Sequence, residues 1–263
     1  MTERDSRTIA LANAELRVHT SGAGAPLLVL HDDVGPHGWG AFHDALATKT
    51  TVYALDLPGF GESPRCEWAR RPRDLAAIVL AAARGLGLRD YTLVGCGFGG
   101  WVAAEMASFA WPEIAALVLV APAGLRPEEG FILDQILEEP VAYLRAGFSS
   151  DEAFAAVYPD ASTDRALKAR LDAARETVAR VAWKPYMYDY ELEETLRAVP
   201  TPATLIWGTG DAVIPPGCAA RWRERLDNSW VELMHGAGHY LDLERPDDLA
   251  QIAIDALESS GKG

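Results

Sequence analysis

The sequence predicts an α/β fold, one mostly parallel central sheet flanked by helices. Three observations carry this. Short apolar runs alternate with longer helical patterns, which is the rhythm of a parallel sheet covered on both faces. One run, Tyr91-Thr92-Leu93-Val94, passes through a glycine-rich turn into the helix-forming stretch Trp101-Val102-Ala103-Ala104-Glu105-Met106-Ala107. The 263 residues, about half of them hydrophobic, can bury one sizeable core in a single domain with an insertion.

Taken in order, the expected strands are 15–20, 27–30, 52–56, 91–94, 117–120, 204–207 and 231–234, with helices at 39–47, 73–84, 98–109, 216–226 and 246–257. Between about Gly124 and Val199 the strand rhythm stops. The chain therefore divides into a core, 1–123 and 200–263, and an inserted helical segment, 124–199. An insertion where strand C-termini face the ligand crevice is most simply a lid. It holds helical patterns such as 162–181, the carboxylates Asp134 and Glu138 at i,i+4 spacing, and an aromatic tail containing Trp183, Tyr186, Tyr188 and Tyr190. Trp183, Tyr186 and Tyr188 are expected to wall a pocket for a small apolar or aromatic molecule. Core packing is the competing role for each, and solvation for the carboxylate pair.

Composition narrows the partners. A net charge of −14 argues against nucleic acid and anionic membrane surfaces, which require clustered Lys and Arg. The opening Met1-Thr2-Glu3-Arg4-Asp5-Ser6-Arg7 has no apolar h-region, and no stretch reaches the length of a membrane span. Three cysteines, Cys66, Cys96 and Cys218, without metal-ligand spacing suit reduced thiols in a cytoplasm. No phosphate loop, dinucleotide fingerprint or metal cluster is apparent, so no cofactor is expected. A homodimer is left open.

The most informative segment is Val94-Gly95-Cys96-Gly97-Phe98-Gly99-Gly100. It reads as a nucleophile elbow, a sharp strand-to-helix turn that presents one side chain at the positive end of a helix. Gly95 and Gly99 stand at the flanking positions, so Gly97 holds the nucleophile's place with no nucleophile. Cys96 is one residue early for that role, and packing is its expected use.

With its flanking loops, the chain resembles the α/β-hydrolase superfamily over nearly its whole length. Leu28-Val29-Leu30-His31-Asp32-Asp33-Val34-Gly35 is similar to that family's oxyanion loop, although Asp32 stands where glycine is usual. Asp56-Leu57-Pro58-Gly59-Phe60-Gly61-Glu62-Ser63 resembles the loop after the fourth strand. The run from Leu205 to Pro215 resembles the acid loop, and the run from Gly236 to Pro246 the histidine loop. The resemblance implies Asp211 as the acid and His239 as the base it orients. It implies an oxyanion hole from the backbone N–H groups of Phe98 and Asp33. His31 and Asp32 would lie at the pocket, His31 holding its loop by hydrogen bonds. Asp33 is expected to face the pocket as an acid, a partner to His239 or a substrate ligand, with loop capping as the alternative.

No acyl-serine intermediate can form at Gly97. The sequence therefore points to an enzyme using His239 and Asp211 as a general base, in non-covalent hydrolysis or lyase- or isomerase-type chemistry on a small apolar carbonyl compound. Two alternatives stand beside it: a non-catalytic ligand-binding pseudoenzyme, and a serine hydrolase inactivated by an engineered Ser-to-Gly change. All leave open what fills the space above Gly97.

Overall fold

The computed structural model describes residues 4–260, so the reading of Met1 to Glu3 lies outside the described residues. Eight strands form one sheet: β1 (Asp5–Ala10), β2 (Glu15–Gly22), β3 (Ala25–Leu30), β4 (Thr50–Leu55), β5 (Tyr91–Cys96), β6 (Ile114–Val120), β7 (Ala203–Gly208) and β8 (Ser229–Met234). Their order is β1-β2-β4-β3-β5-β6-β7-β8. The pairs β1–β2 and β2–β4 are antiparallel, and the others are parallel. The first strand was not anticipated. Its residues are exposed or half-buried, so the segment lacks the apolar run by which the others are recognised.

Alternation along the strands sorts side chains to two faces. Leu28 and Leu30 join one hydrophobic cluster with Leu93, Leu117, Leu119 and Leu205, under α2 (Pro72–Gly85) and α3 (Gly97–Ala110). Leu27, Val29, Val94, Val118 and Ile206 join the other, under α1 (Ala41–Ala47) and the C-terminal helix (Pro246–Ser260). A strand buried on both faces reads as a continuous apolar run, hence the strength of the sequence signal here.

Between β6 and β7 the segment 124–199 carries α4 (Pro140–Ala146), α5 (Asp151–Val157), α6 (Arg165–Val181) and α7 (Tyr190–Thr195). In α6, Leu167, Leu171, Ala174, Val178 and Val181 recur at three- and four-residue spacing and share the cluster of α2 and α3. Asp164 starts that helix by accepting the backbone N–H groups of Ala166 and Leu167, which places its beginning three residues later than the sequence pattern suggested. The remaining helices are α8 (Cys218–Arg225), α9 (Leu241–Glu244) and α10, the C-terminal helix already described. No helix among the described residues is long and apolar enough to cross a membrane.

Candidate active site

The elbow sits where β5 turns into α3. Gly97 has φ +48°, a left-handed conformation that costs other residues roughly 1–3 kcal/mol. Its neighbours are glycines because backbones pass closely. A Cβ at Gly99 would lie 2.3 Å from the carbonyl oxygen of His31, and one at Gly95 2.5 Å from that of Gly99.

The space above Gly97 is filled by Asp32. A Cβ built on Gly97 would meet Asp32 Oδ1 at 1.8 Å, so the carboxylate stands where a nucleophilic side chain would begin. The N–H groups of Phe98 and Asp33 do converge, at 2.9 and 2.6 Å, but both donate to Asp32 Oδ1. What fills the space above Gly97, left open by the sequence, is a carboxylate from the β3 loop, which occupies both the nucleophile's place and the oxyanion donors.

His239 lies beside it, brought by the loop after β8. Its Nδ1 is 2.7 Å from Asp211 Oδ2, and its Nε2 is 2.8 Å from Asp32 Oδ2. Asp211 Oδ1 accepts the N–H groups of Val213 and Ile214, both at 2.8 Å, which fixes the acid at the end of β7. The N–H of His239 donates at 2.7 Å to the carbonyl of Gly147, which follows α4. A Cβ at Gly147 would overlap the Tyr240 ring at 2.1 Å, so this contact requires glycine.

Electrostatics follow from this sandwich. Burial alone would push His239 down, but the charges of Asp211 and Asp32 outweigh it and hold the imidazole well above its usual range. Burial alone would push Asp32 up, and the charge and hydrogen bonds of His239 with the two N–H donors hold it below the usual carboxylate range. The arrangement therefore favours an imidazolium at His239 beside the Asp32 carboxylate. A protonated His239 cannot accept a proton, so the charge on Asp32 opposes the base role expected of His239.

Asp33 differs. Its Oδ2 accepts the Tyr143 hydroxyl at 2.6 Å and Gln135 Nε2 at 2.9 Å, both from the inserted segment, while Oδ1 has no partner among the described residues. Burial, followed by the charge of Asp32, raises its carboxyl to about 8, so it is mostly protonated at neutral pH. The Tyr240 hydroxyl is likewise buried and unpartnered.

His31 holds its loop: Nδ1 bonds the carbonyl of Asp32 at 2.7 Å and Nε2 accepts the N–H of Leu57 at 3.0 Å. Tyr186 accepts the N–H of Gln135 and donates to the carbonyl of Leu133, bracing the stretch that reaches Asp33. Trp183 and Tyr188 require correction as pocket residues. Trp183 is 47% exposed, and Tyr188 packs edge-on against the exposed Tyr190. Burial, then Asp242 and Asp32, holds the Cys96 thiol well above its usual range, which leaves it inert. Sequence reasoning missed Gln135 and the placement of Tyr143 and Tyr240 around Asp33; no spacing marks residues that meet only through the insertion's path. Among the described residues no group of three or more His, Cys, Asp or Glu is arranged to hold a metal ion.

The comparisons with known proteins agree on the family. Residues 18–252 match the model of the alpha/beta hydrolase family. A dihydrolipoyllysine-residue acetyltransferase component of the acetoin cleaving system from Pseudomonas putida is 30% identical over 87% of this chain, and the match spans 62% of that relative's length. A 2-hydroxy-6-oxo-6-(2'-aminophenyl)hexa-2,4-dienoic acid hydrolase from Metapseudomonas resinovorans is 26% identical over 95% of this chain and 90% of its own. Among solved structures, a serine hydrolase involved in carbazole degradation superposes with a TM-score of 0.78 at 22% identity, covering 98% of this chain and 100% of that one. A membrane phospholipase A described as a bacterial virulence factor gives a TM-score of 0.83 at 24% identity, over 99% of this chain and 87% of that one. With its eight-stranded sheet and its ordered elbow, acid and histidine loops, the chain belongs to the alpha/beta hydrolase family.

Proposed function

We propose that the protein is a hydrolase that works without an acyl-serine, with Asp32 as the nucleophile and His239 with Asp211 as the base that resolves the intermediate. The observation that carries this is the double engagement of Asp32, with Oδ1 on the two oxyanion donors and Oδ2 on His239. In the first step Oδ2 attacks an electrophilic carbon of a small, largely apolar substrate; a C–O bond forms, and the leaving group departs with the electron pair of the bond it breaks. Because the donors already hold Oδ1, the attacked group has no oxyanion to place there. A saturated carbon fits this geometry without rearrangement, whereas the carbonyl compound expected from the sequence would require Asp32 to vacate both N–H groups.

The ester of Asp32 is neutral. Its formation removes one of the two charges that hold His239 protonated, so the imidazole gives its proton to the departing group and can then act as a base. His239, oriented by Asp211, then takes a proton from water as the water oxygen attacks Cγ of Asp32. The tetrahedral oxyanion forms on Oδ1, already between Phe98 and Asp33. Collapse frees the alcohol and restores the carboxylate. The segment 124–199 acts as the lid, tied down through Tyr143 and Gln135 on Asp33, and lifts to admit substrate.

A single-turnover reaction in oxygen-18 water tests this, with a panel of small alkyl halides, alkyl esters and aryl esters. Label in the Asp32 side chain, read by peptide mass spectrometry, is the expected result. Label in product alone would instead establish non-covalent general base catalysis. The absence of turnover across the panel, with a folded protein, would favour the ligand-binding reading, which the closed and fully paired trio also supports.

A further inference from the structure

A second site lies apart from the inserted segment's contact with Asp33, since none of Asp33, Gln135 and Tyr143 lines it. A cavity of about 170 Å³ opens between the 36–43 stretch, the end of β4, Cys96 and the α9 region. Most of its wall is apolar, including Val29, Phe42, Ala54 and Leu243. Its size suits a six-membered ring with a short arm, since a dry cavity of about 150 Å³ accommodates benzene.

The ionisable groups of the wall are two carboxyls, four imidazoles and the Cys96 thiol. Asp242 and Asp56 are carboxyls, and no lysine or arginine lines the cavity among the described residues. Three of the four imidazoles that line the cavity do not supply positive charge, and the fourth, His19, lies 3.8 Å from Asp56. Burial lowers His37 to about 3 and His43 to about 4, and it lowers His31 as well. His37 bonds the Tyr158 hydroxyl, behind which Arg170 is engaged with the carbonyl of Pro36. Asp242 faces Asp32 and His239 from the neighbouring loops and Cys96 from the end of β5. The backbone N–H groups of Asp242 and Leu243 and the charge of His239 favour the ionised form of Asp242, but burial and the charge of Asp32 outweigh them, and among the described residues no Lys or Arg countercharge lines the cavity. A ligand carrying an ammonium group on an apolar body would supply it, with the Trp39 and Phe42 rings beside it.

We propose that this cavity is a binding site for a small aromatic amine cation, separate from the Asp32–His239–Asp211 trio, with Asp242 as the ligand of the ammonium group. Binding replaces the missing countercharge and draws Asp242 into its ionised form. Because its carboxyl stands near 7, binding at pH 7 releases about half a proton.

The test is calorimetric titration of the full chain with benzylamine, benzyl alcohol and benzoate at pH 7, in two buffers of different ionisation enthalpy. Benzylamine is expected to bind at least tenfold more tightly than benzyl alcohol, with benzoate weakest, and to release a proton fraction near one half. Asp242→Asn is expected to bring benzylamine to the level of the alcohol. Should that variant fail to fold, the proton release of the parent protein decides the matter alone. Equal binding of amine and alcohol, binding without proton release, unchanged amine affinity in the variant, or no binding would each overturn the proposal.

Discussion

Asp32 and Asp33 are chain neighbours, both buried, and their carboxyls are driven in opposite directions. Asp32 has every oxygen engaged, two N–H groups on one and His239 on the other, and is held ionised. Asp33 has one oxygen held by Tyr143 and Gln135, the other unpartnered, and is raised to about 8. Two like charges this close do not both ionise readily in a buried site, and the one with an imidazolium and two amide donors keeps the charge. Burial alone therefore does not set a carboxyl's role; the donors aimed at it do. One half of the site is charged and saturated, the other neutral and under-bonded.

The largest effect should come from breaking the saturated half. Asp32→Ala leaves His239 with one carboxylate and empties the donors of Phe98 and Asp33; removal of one partner from a buried ion pair costs roughly 3–5 kcal/mol. Activity through Asp32 should vanish, and the His239 ring should titrate lower by NMR, since one of its two raising charges is gone. A His239 titration unmoved by the substitution would show that the two do not share a proton.

Gly97→Ser sharpens the same contrast. The new Cβ would collide with Asp32 at 1.8 Å, in a backbone conformation unfavourable to serine, so the single variant should lose stability and gain no esterase activity. The pair Asp32→Gly with Gly97→Ser clears the space and frees both N–H donors. Hydrolysis of activated aryl esters should then appear in the double variant alone, and its equal appearance in the single variant would place Asp32 elsewhere in solution.

These variants also mark what the sequence could reveal. Strands β3 and β5 to β7, with the elbow, acid and histidine loops, were legible because continuous apolar runs and glycines at close backbone passages leave a local signature. The edge strand β1 was not, since its side chains are exposed or half-buried. Asp32 could be seen as a departure from a family loop, but its rotation onto Gly97 depends on a space that only the folded turn defines. Tyr143 and Gln135 reach Asp33 across more than a hundred residues of chain, and no periodicity records such a meeting.

The neutral half should appear in the pH dependence of stability. Asp33 stands near 8 and Asp242 near 7 in the folded protein, against 3.8 for an unperturbed carboxyl. Both groups hold protons that the unfolded chain has released, which lowers stability as pH rises; below about 6.5 His31, His37 and His43, whose folded values are lowered, act the other way, so the net fall is expected from about 6.5 toward 8. His239 acts in the same direction above 6.5, because its folded value is also raised. Each fully coupled group contributes at most about 1.4 kcal/mol per pH unit. Urea unfolding at about pH 6.5, 7.2 and 8 should show the decline, and Asp33→Asn should flatten it. A slope unaltered by that variant would assign it to Asp242 and His239.

The smallest effect isolates the tie between the inserted segment and the core. Tyr143→Phe removes one donor from Asp33 Oδ2 and leaves Gln135 in place, a loss of about 1 kcal/mol for a single hydrogen bond. The Tyr143 hydrogen bond lowers the Asp33 carboxyl, so its removal should raise that group further and extend the stability decline to higher pH. Amide exchange should quicken in α4 and around Gln135 while β5 and β6 stay protected, since those strands lie in the sheet interior. If exchange quickened equally in the sheet, the hydrogen bond would belong to the stability of the whole domain. Its confinement to the segment would mean that the protonated carboxyl of Asp33 is the catch by which the inserted segment is held.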